Sequence, residues 1–175
     1  DIGSLKIFSK KKNLRILSLK KYLSPEFSIK TIGGGSLGQE RDGSCLLEKH
    51  LITPTKKKLT PNQLSTGLFA WKVVKHTKSN AIVVAKNNKI ISISGGQTSR
   101  VDATKIAFEK TKIPKGCIVA SDAFFPFKDS IEKMAQYNIA AIIQPGGSIR
   151  DKEVVESCNK NKIAMAFTGF RVFKH

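Results

Sequence analysis

Four short segments of the chain hold residues that could do chemistry together: GGQTSR (95–100), SDAFFPFKD (121–129), QPGGSIRD (144–151) and the closing TGFRVFKH (168–175). Arg100 and Arg171 are planar cations able to hold a phosphate or carboxylate through two parallel hydrogen bonds. The two glycine-rich segments run into helix starts, where the backbone can approach a ligand and free N–H groups attract anions. Such turns also serve simply as helix caps, and both readings stand for them. Phe124, Phe125 and Phe127 crowd around Pro126. Three phenylalanines cannot all point inward from so short a loop, so an exposed pair beside Pro126 would form an apolar wall for a flat heteroaromatic ring. Asp129 either caps the following helix or accepts hydrogen bonds from a ring amino group.

Other reactive types carry less. Lys75-His76 stands at an expected helix end, where cations are favoured anyway. His50 shows no obvious catalytic pairing with a carboxylate or thiol in the sequence. Cys45, Cys117 and Cys158 are far apart, show no CxxC spacing and read as free thiols of a reducing compartment, so no metal is expected and the location is read as cytoplasmic. The His-x-Glu and Pro-Cys-x-x-Cys signature of zinc deaminases is absent.

The elements that must position these segments can be read from periodicity. Thr60, Pro61 and Gln63 form a capping box with proline in the first turn. Leu64, Leu68, Trp71 and Val74 follow at helical spacing, predicting a core-facing helix to about Lys75. NAIVVAK (80–86) is a buried-type strand, and Asn87-Asn88 turns it into the hairpin partner KIISIS. A helix follows to about Thr111, with Ser99 as cap and Asp102 in its first turn. Strand CIVASD (117–122), helix 129–137, strand AAIIQ (140–144), helix 151–160 and strand IAMAFT (163–168) come next. This alternation implies an α/β fold, a mostly parallel sheet with helices on both faces. In such sheets ligands bind beyond the carboxyl ends of the strands, where three of the four segments lie. Residues 1–60 look irregular, with short strands expected at LKIF (5–8), LRILSL (14–19) and FSIKTI (27–32), and with polar connectors at SKKKN and PTKKKLT.

The 175 residues carry a formal charge of +18, nearly all from lysine; arginine occurs only at Arg15, Arg41, Arg100, Arg150 and Arg171. Scattered lysine fits a solvated surface or the steering of small anions better than nucleic-acid reading, which clusters arginine and aromatics. No apolar run approaches the roughly 20 residues a membrane span needs. Asp1 rather than Met opens the chain, so upstream sequence is expected.

SKKKN, TKSNAIVVAK, GGQTSRVD, SDAFFPFKD, QPGGSIRD and FRVFKH, in this order and spacing, closely resemble the bacterial bifunctional purine biosynthesis enzymes, which join AICAR transformylase to IMP cyclohydrolase. The resemblance covers essentially the whole chain. It implies a three-layer α/β/α lobe of cytidine deaminase-like topology: residues 1–60 would end the first transformylase lobe and form a connector, and 61–175 would be the C-terminal lobe. It implies formyl transfer from 10-formyltetrahydrofolate to AICAR, no metal, and a homodimer with sites across its interface. Asn80, Arg100, Phe124 and Arg171 match positions that hold the nucleotide. Val101, Asp129, Ser148 and Ile149 match positions that hold the folate, and Pro126 and Phe127 match the wall beside the pterin. The family's catalytic Lys-His-x-Asn stretch has no counterpart in this chain, nor has the cyclohydrolase domain, so no catalytic residue is expected here. Two other readings are a non-catalytic folate- or nucleotide-binding fragment and a basic nucleic-acid-binding α/β domain.

Overall fold

The computed structural model describes residues 2–18, 27–40, 43, 46 and 48–174. They fall into two compact units, Asp1–Gly43 and Ser44–His175. In the first, α1 (Ile2–Phe8) is followed by turns over SKKKN, and β1 (Phe27–Ile32) pairs antiparallel with β2 (Gly35–Glu40) across Gly33-Gly34. The strand at 27–32 is as expected. The strand expected at 5–8 is instead part of a helix, because Ile2, Leu5 and Phe8 lie three apart and the four-residue run LKIF admits either period. Residues 14–18 form no regular element, and Leu19 lies outside the described residues.

In the second unit, α2 (Pro61–Lys75) begins with the expected box: the Gln63 N–H donates to Thr60 Oγ1, and the Thr60 N–H donates to Gln63 Oε1. Its buried face differs from expectation. Thr66, Gly67, Ala70, Trp71 and Val74 are buried, while Leu64 and Leu68 are only half-buried. Gly67 sets this: a Cβ there would stand 2.2 Å from Ile143 Cδ1, so glycine lets the helix lie close on the sheet. β3 (Ile82–Lys86) and β4 (Lys89–Ser94) form the expected hairpin, with Asn87 and Asn88 at φ 50° and 55° in its turn.

Next come α3 (Arg100–Glu109), β5 (Ile118–Ser121), α4 (Asp129–Ala135), β6 (Ala141–Gln144), α5 (Asp151–Lys160) and β7 (Ala164–Phe167). The sheet order is β4-β3-β5-β6-β7. β3 is antiparallel to both its neighbours, so it alone runs against the other four strands, and the sheet is mixed but mostly parallel. Strands β3, β5, β6 and β7 are buried and largely apolar on both faces, as strands covered on two sides must be. Ile82, Val84, Val119, Ile142 and Met165 pack against α3, α4 and α5. Val83, Ala85, Ala120, Ile143 and Ala166 pack with Trp71 and Val74 of α2. The lobe is therefore a three-layer α/β/α structure.

The segment before Pro61 packs with this lobe. Ile52 bridges antiparallel to Phe167, and Thr55 Oγ1 accepts the Met165 N–H at 2.9 Å. A polar connector in the sequence thus covers the outer edge of β7, whose free backbone groups need partners.

Candidate functional site

β5, β6 and β7 run parallel, so the three chemical segments leave the sheet at one edge and meet there. Between them lies a cavity of about 390 Å³. Phe124, Pro126 and Phe127 line it from the loop after β5; Gly147, Ser148, Ile149 and Arg150 from the loop after β6; Arg171 from the chain after β7.

Each loop is pinned from below. Phe125 is fully buried, and its N–H donates to Gln144 Oε1 at 2.8 Å. The Gln144 side chain is itself inaccessible, and its Nε2 lies 3.3 Å from Met165 Sδ. With the middle phenylalanine anchored inward, Phe127 is 44% exposed while Phe124 is half-buried, so of the exposed pair expected beside Pro126 only Phe127 is fully at the surface. The Gly147 N–H donates to Asp151 Oδ2 at 2.7 Å, which folds the Pro-Gly-Gly loop back on the start of α5. Gly146 takes φ 71° with the Phe167 ring 2.9 Å from where a Cβ would stand, so only glycine fits there. The exit of β7 is tied to that of β6: the Thr168 N–H donates to Gln144 O and the Gly169 N–H to Pro145 O.

Two guanidinium groups lie on aromatic rings at this cavity. Arg171 Cζ is 5.0 Å from the Phe124 centroid and 5.9 Å from that of Phe173; Arg150 Cζ is 4.8 Å from the Phe127 centroid. Both distances to the lining rings are within cation–π range. The cavity thus offers flat apolar surface together with cations, a combination suited to an anionic ligand bearing a planar ring.

Asn80 and Arg100 lie at the same sheet edge but do not line this cavity. β3 is antiparallel to β5, so its start stands beside the end of β5. There Arg100, 7% exposed, reaches Asp122, which is wholly buried. Arg100 Nη1 donates to Asp122 Oδ1 and to Ala81 O, and Nη2 donates to Asn80 Oδ1 at 3.0 Å. Asp122 Oδ1 also accepts the Ala81 N–H, while Oδ2 is buried with no partner among the described residues. Arg100, expected from the sequence to be available to an anion, is engaged with protein groups. α3 is capped as expected, the Asp102 N–H donating to Ser99 Oγ at 3.0 Å.

Val101 is 39% exposed and outside the cavity lining. Asp129 is exposed and is the first residue of α4; it does not cap it, because the cap position is Lys128 and no side chain bonds there. Its carboxylate still stands in the first turn, where negative charge is favoured. Lys75, His76 and His50 do not line the cavity.

Cys117 and Cys158 are free thiols. Burial raises the pKa of both: Cys158 is pushed up to about 12, and for Cys117 nearby Lys86 partly opposes the shift. Cys45 lies outside the described residues. No group of three or more histidine, cysteine or acidic side chains that could hold a metal occurs among the described residues, and none of their helices is long and apolar enough to cross a membrane.

Arg150, Asp122 and Gln144 have functional surroundings that the sequence does not reveal. Arg150 lies within QPGGSIRD, but its place on Phe127 depends on two loops meeting. Asp122 offered one signal, a carboxylate at the end of an apolar strand, where burial demands a partner.

A family model described as the AICARFT/IMPCHase bienzyme matches residues 1–110. The chain is 50% identical over 179 residues to the bifunctional purine biosynthesis protein PurH of Aquifex aeolicus, covering 100% of this chain and 35% of that protein. It is 49% identical over 178 residues to PurH of Acetivibrio thermocellus, covering 99% and 35%, and 48% identical over 175 residues to PurH of Petrotoga mobilis, covering 100% and 34%. It spans about a third of the length of these relatives, and the similarity takes in all three loops of the cavity. The chain belongs to the AICARFT/IMPCHase bienzyme family.

Proposed function

We propose that this chain is the C-terminal part of the formyl-transferring domain of a bifunctional purine biosynthesis enzyme. Residues 61–175 would form its second lobe, and the earlier residues would end the first lobe and connect the two. The enzyme would move a formyl group from 10-formyltetrahydrofolate to the exocyclic amine of AICAR, as a cytoplasmic homodimer that also carries IMP cyclohydrolase. One observation carries this reading. Phe124 and Arg171, assigned by resemblance to the nucleotide, line the same cavity as Pro126, Phe127, Ser148 and Ile149, assigned to the folate. Two substrates that must react need adjoining sites, and holding both in attack geometry supplies much of the catalysis.

In the transfer, the amine nitrogen forms a bond to the formyl carbon and the bond from that carbon to N10 of the folate breaks. A base takes the amine proton and N10 receives one, leaving tetrahydrofolate. The chain's own residues would bind and orient: Arg171 the anionic nucleotide, Phe127 and Pro126 the pterin ring, Ser148 and Ile149 the folate from the facing loop. Asn80, Arg100 and Asp122 would support that edge from beneath. The base would come from the family's Lys-His-x-Asn stretch, which has no counterpart in residues 1–175.

Purified chain, supplied with both substrates and followed by tetrahydrofolate release, should therefore show no turnover. Adding a separately expressed first lobe that bears Lys-His-x-Asn should restore it. Robust turnover by the chain alone would overturn the assignment of the base, and no turnover in the full-length enzyme would overturn the proposed function.

A further inference from the structure

Arg150 has no ligand in the proposed formyl transfer. Its guanidinium covers one face of the Phe127 ring at 4.8 Å and lines the cavity, as Arg171 does from Phe124. Its nearest anion is Glu153 Oε2, 3.8 Å from Nη1, beyond hydrogen-bond reach, and both side chains are well exposed. An ion pair of that kind contributes little. Among the described residues neither guanidinium donates a hydrogen bond, and no carboxylate lines the cavity. The contrast with Arg100, whose donors are taken up by Asp122, Ala81 and Asn80, is direct.

Two planar cations, each steadied on its own ring, therefore flank one aromatic-walled cavity. Stacking fixes the plane of a guanidinium and leaves its fork of N–H donors free, the arrangement that suits bidentate capture of a carboxylate. One such group suffices for a nucleotide phosphate. We propose that Arg150 is a second anion site of this cavity and takes a carboxylate of the ligand whose ring lies near Phe127. Resting on the function proposed above, that ligand is the folate and the carboxylate belongs to its glutamyl tail. Arg150 would then determine specificity for glutamylated over unglutamylated pterins.

The test uses full-length enzyme, wild type and Arg150→Ala, Arg150→Lys and Arg150→Gln. Folate and the primary amide of pteroic acid, which lacks both the glutamyl group and any carboxylate, are titrated by fluorescence while formyl transfer is assayed in parallel. Losing a charged hydrogen-bonded contact should weaken folate binding about tenfold in Arg150→Ala and Arg150→Gln. Arg150→Lys should recover only part, and the pteroic acid amide should bind all four proteins alike. The KM for AICAR should stay within about twofold, the size of change expected when no contact to that substrate is lost. Unchanged folate binding in Arg150→Ala, equal losses for folate and the pteroic acid amide, or no folate binding by wild type would each overturn the proposal. The function proposed above is tested separately: absence of formyl transfer by wild type would overturn that reading, while selective loss of folate over the pteroic acid amide would still uphold a carboxylate site at Arg150.

Discussion

Arg100 and Arg171 stand at the same edge of the sheet, and the sequence suggests one use for both, yet their surroundings divide them. Arg100 is buried against Asp122, with its donors bound to Asp122, Ala81 and Asn80. Arg171 is exposed and lies over the Phe124 and Phe173 rings, with no carboxylate partner in the cavity. A buried arginine must be paired to be tolerated, and once paired it holds structure together. An exposed one stacked on a ring keeps its hydrogen-bonding capacity for a ligand. The type of residue offers a chemistry; desolvation and partners decide whether that chemistry is used within the protein or presented outward.

The sharpest way to break this contrast is Asp122→Ala. It strands a buried guanidinium, which should cost about 3–5 kcal/mol of stability in urea unfolding. A loss below about 1 kcal/mol, typical of an exposed pair, would mean that Arg100 escapes to solvent and resembles Arg171 after all. Arg171→Ala should do the reverse. Its stability should stay within about 0.5 kcal/mol of wild type. Calorimetric titration of full-length enzyme with AICAR should show a loss of about 2–3 kcal/mol, and Arg171→Lys should not restore it fully if the contact is bidentate. Unchanged affinity would return Arg171 to the solvated surface.

Gln144→Leu probes the support under the exposed region. It removes the acceptor of the buried Phe125 N–H, which should cost about 2 kcal/mol of stability. Gln144→Glu, which keeps an acceptor oxygen in place, should lose less at a pH low enough to hold that carboxyl neutral. Equal losses in the two would show that packing rather than the hydrogen bond holds the loop. The smallest effect is expected at Asp129, which lies outside the cavity lining and is assigned to the folate by resemblance alone. Asp129→Asn should raise the folate KM roughly tenfold, about 1.5 kcal/mol, with little change for AICAR. Equal changes for both substrates would leave Asp129 as a helix-start charge only.

Much of this was legible in the sequence where its physics is local. Thr60, Pro61 and Gln63 announced the start of α2, and Asn87-Asn88 the hairpin, because capping and tight turns involve residues within a few positions of one another. Alternating apolar strands and helices implied three layers, and so placed the loops after β5, β6 and β7 at one edge. The crowding of FFPF was enough to expect that not all three rings turn inward; that Phe125 is the one anchored, by Gln144, is decided by the fold. The run LKIF misled because four residues cannot distinguish a period of two from one of 3.6. Gly67 displaced Leu64 and Leu68 from the core because a helix turns its smallest side chain toward its closest neighbour, and that neighbour, Ile143, comes from a distant strand.

What the tertiary structure alone decided is which charges are free. Arg100 meets Asp122 only because β3 runs against β5, which brings the start of one strand beside the end of the other. Arg150 lies on Phe127 only because two parallel strands release their loops side by side. Charge and ring types are properties of the sequence; burial and pairing are properties of distance, and distances between residues so far apart along the chain arise only when the sheet is assembled.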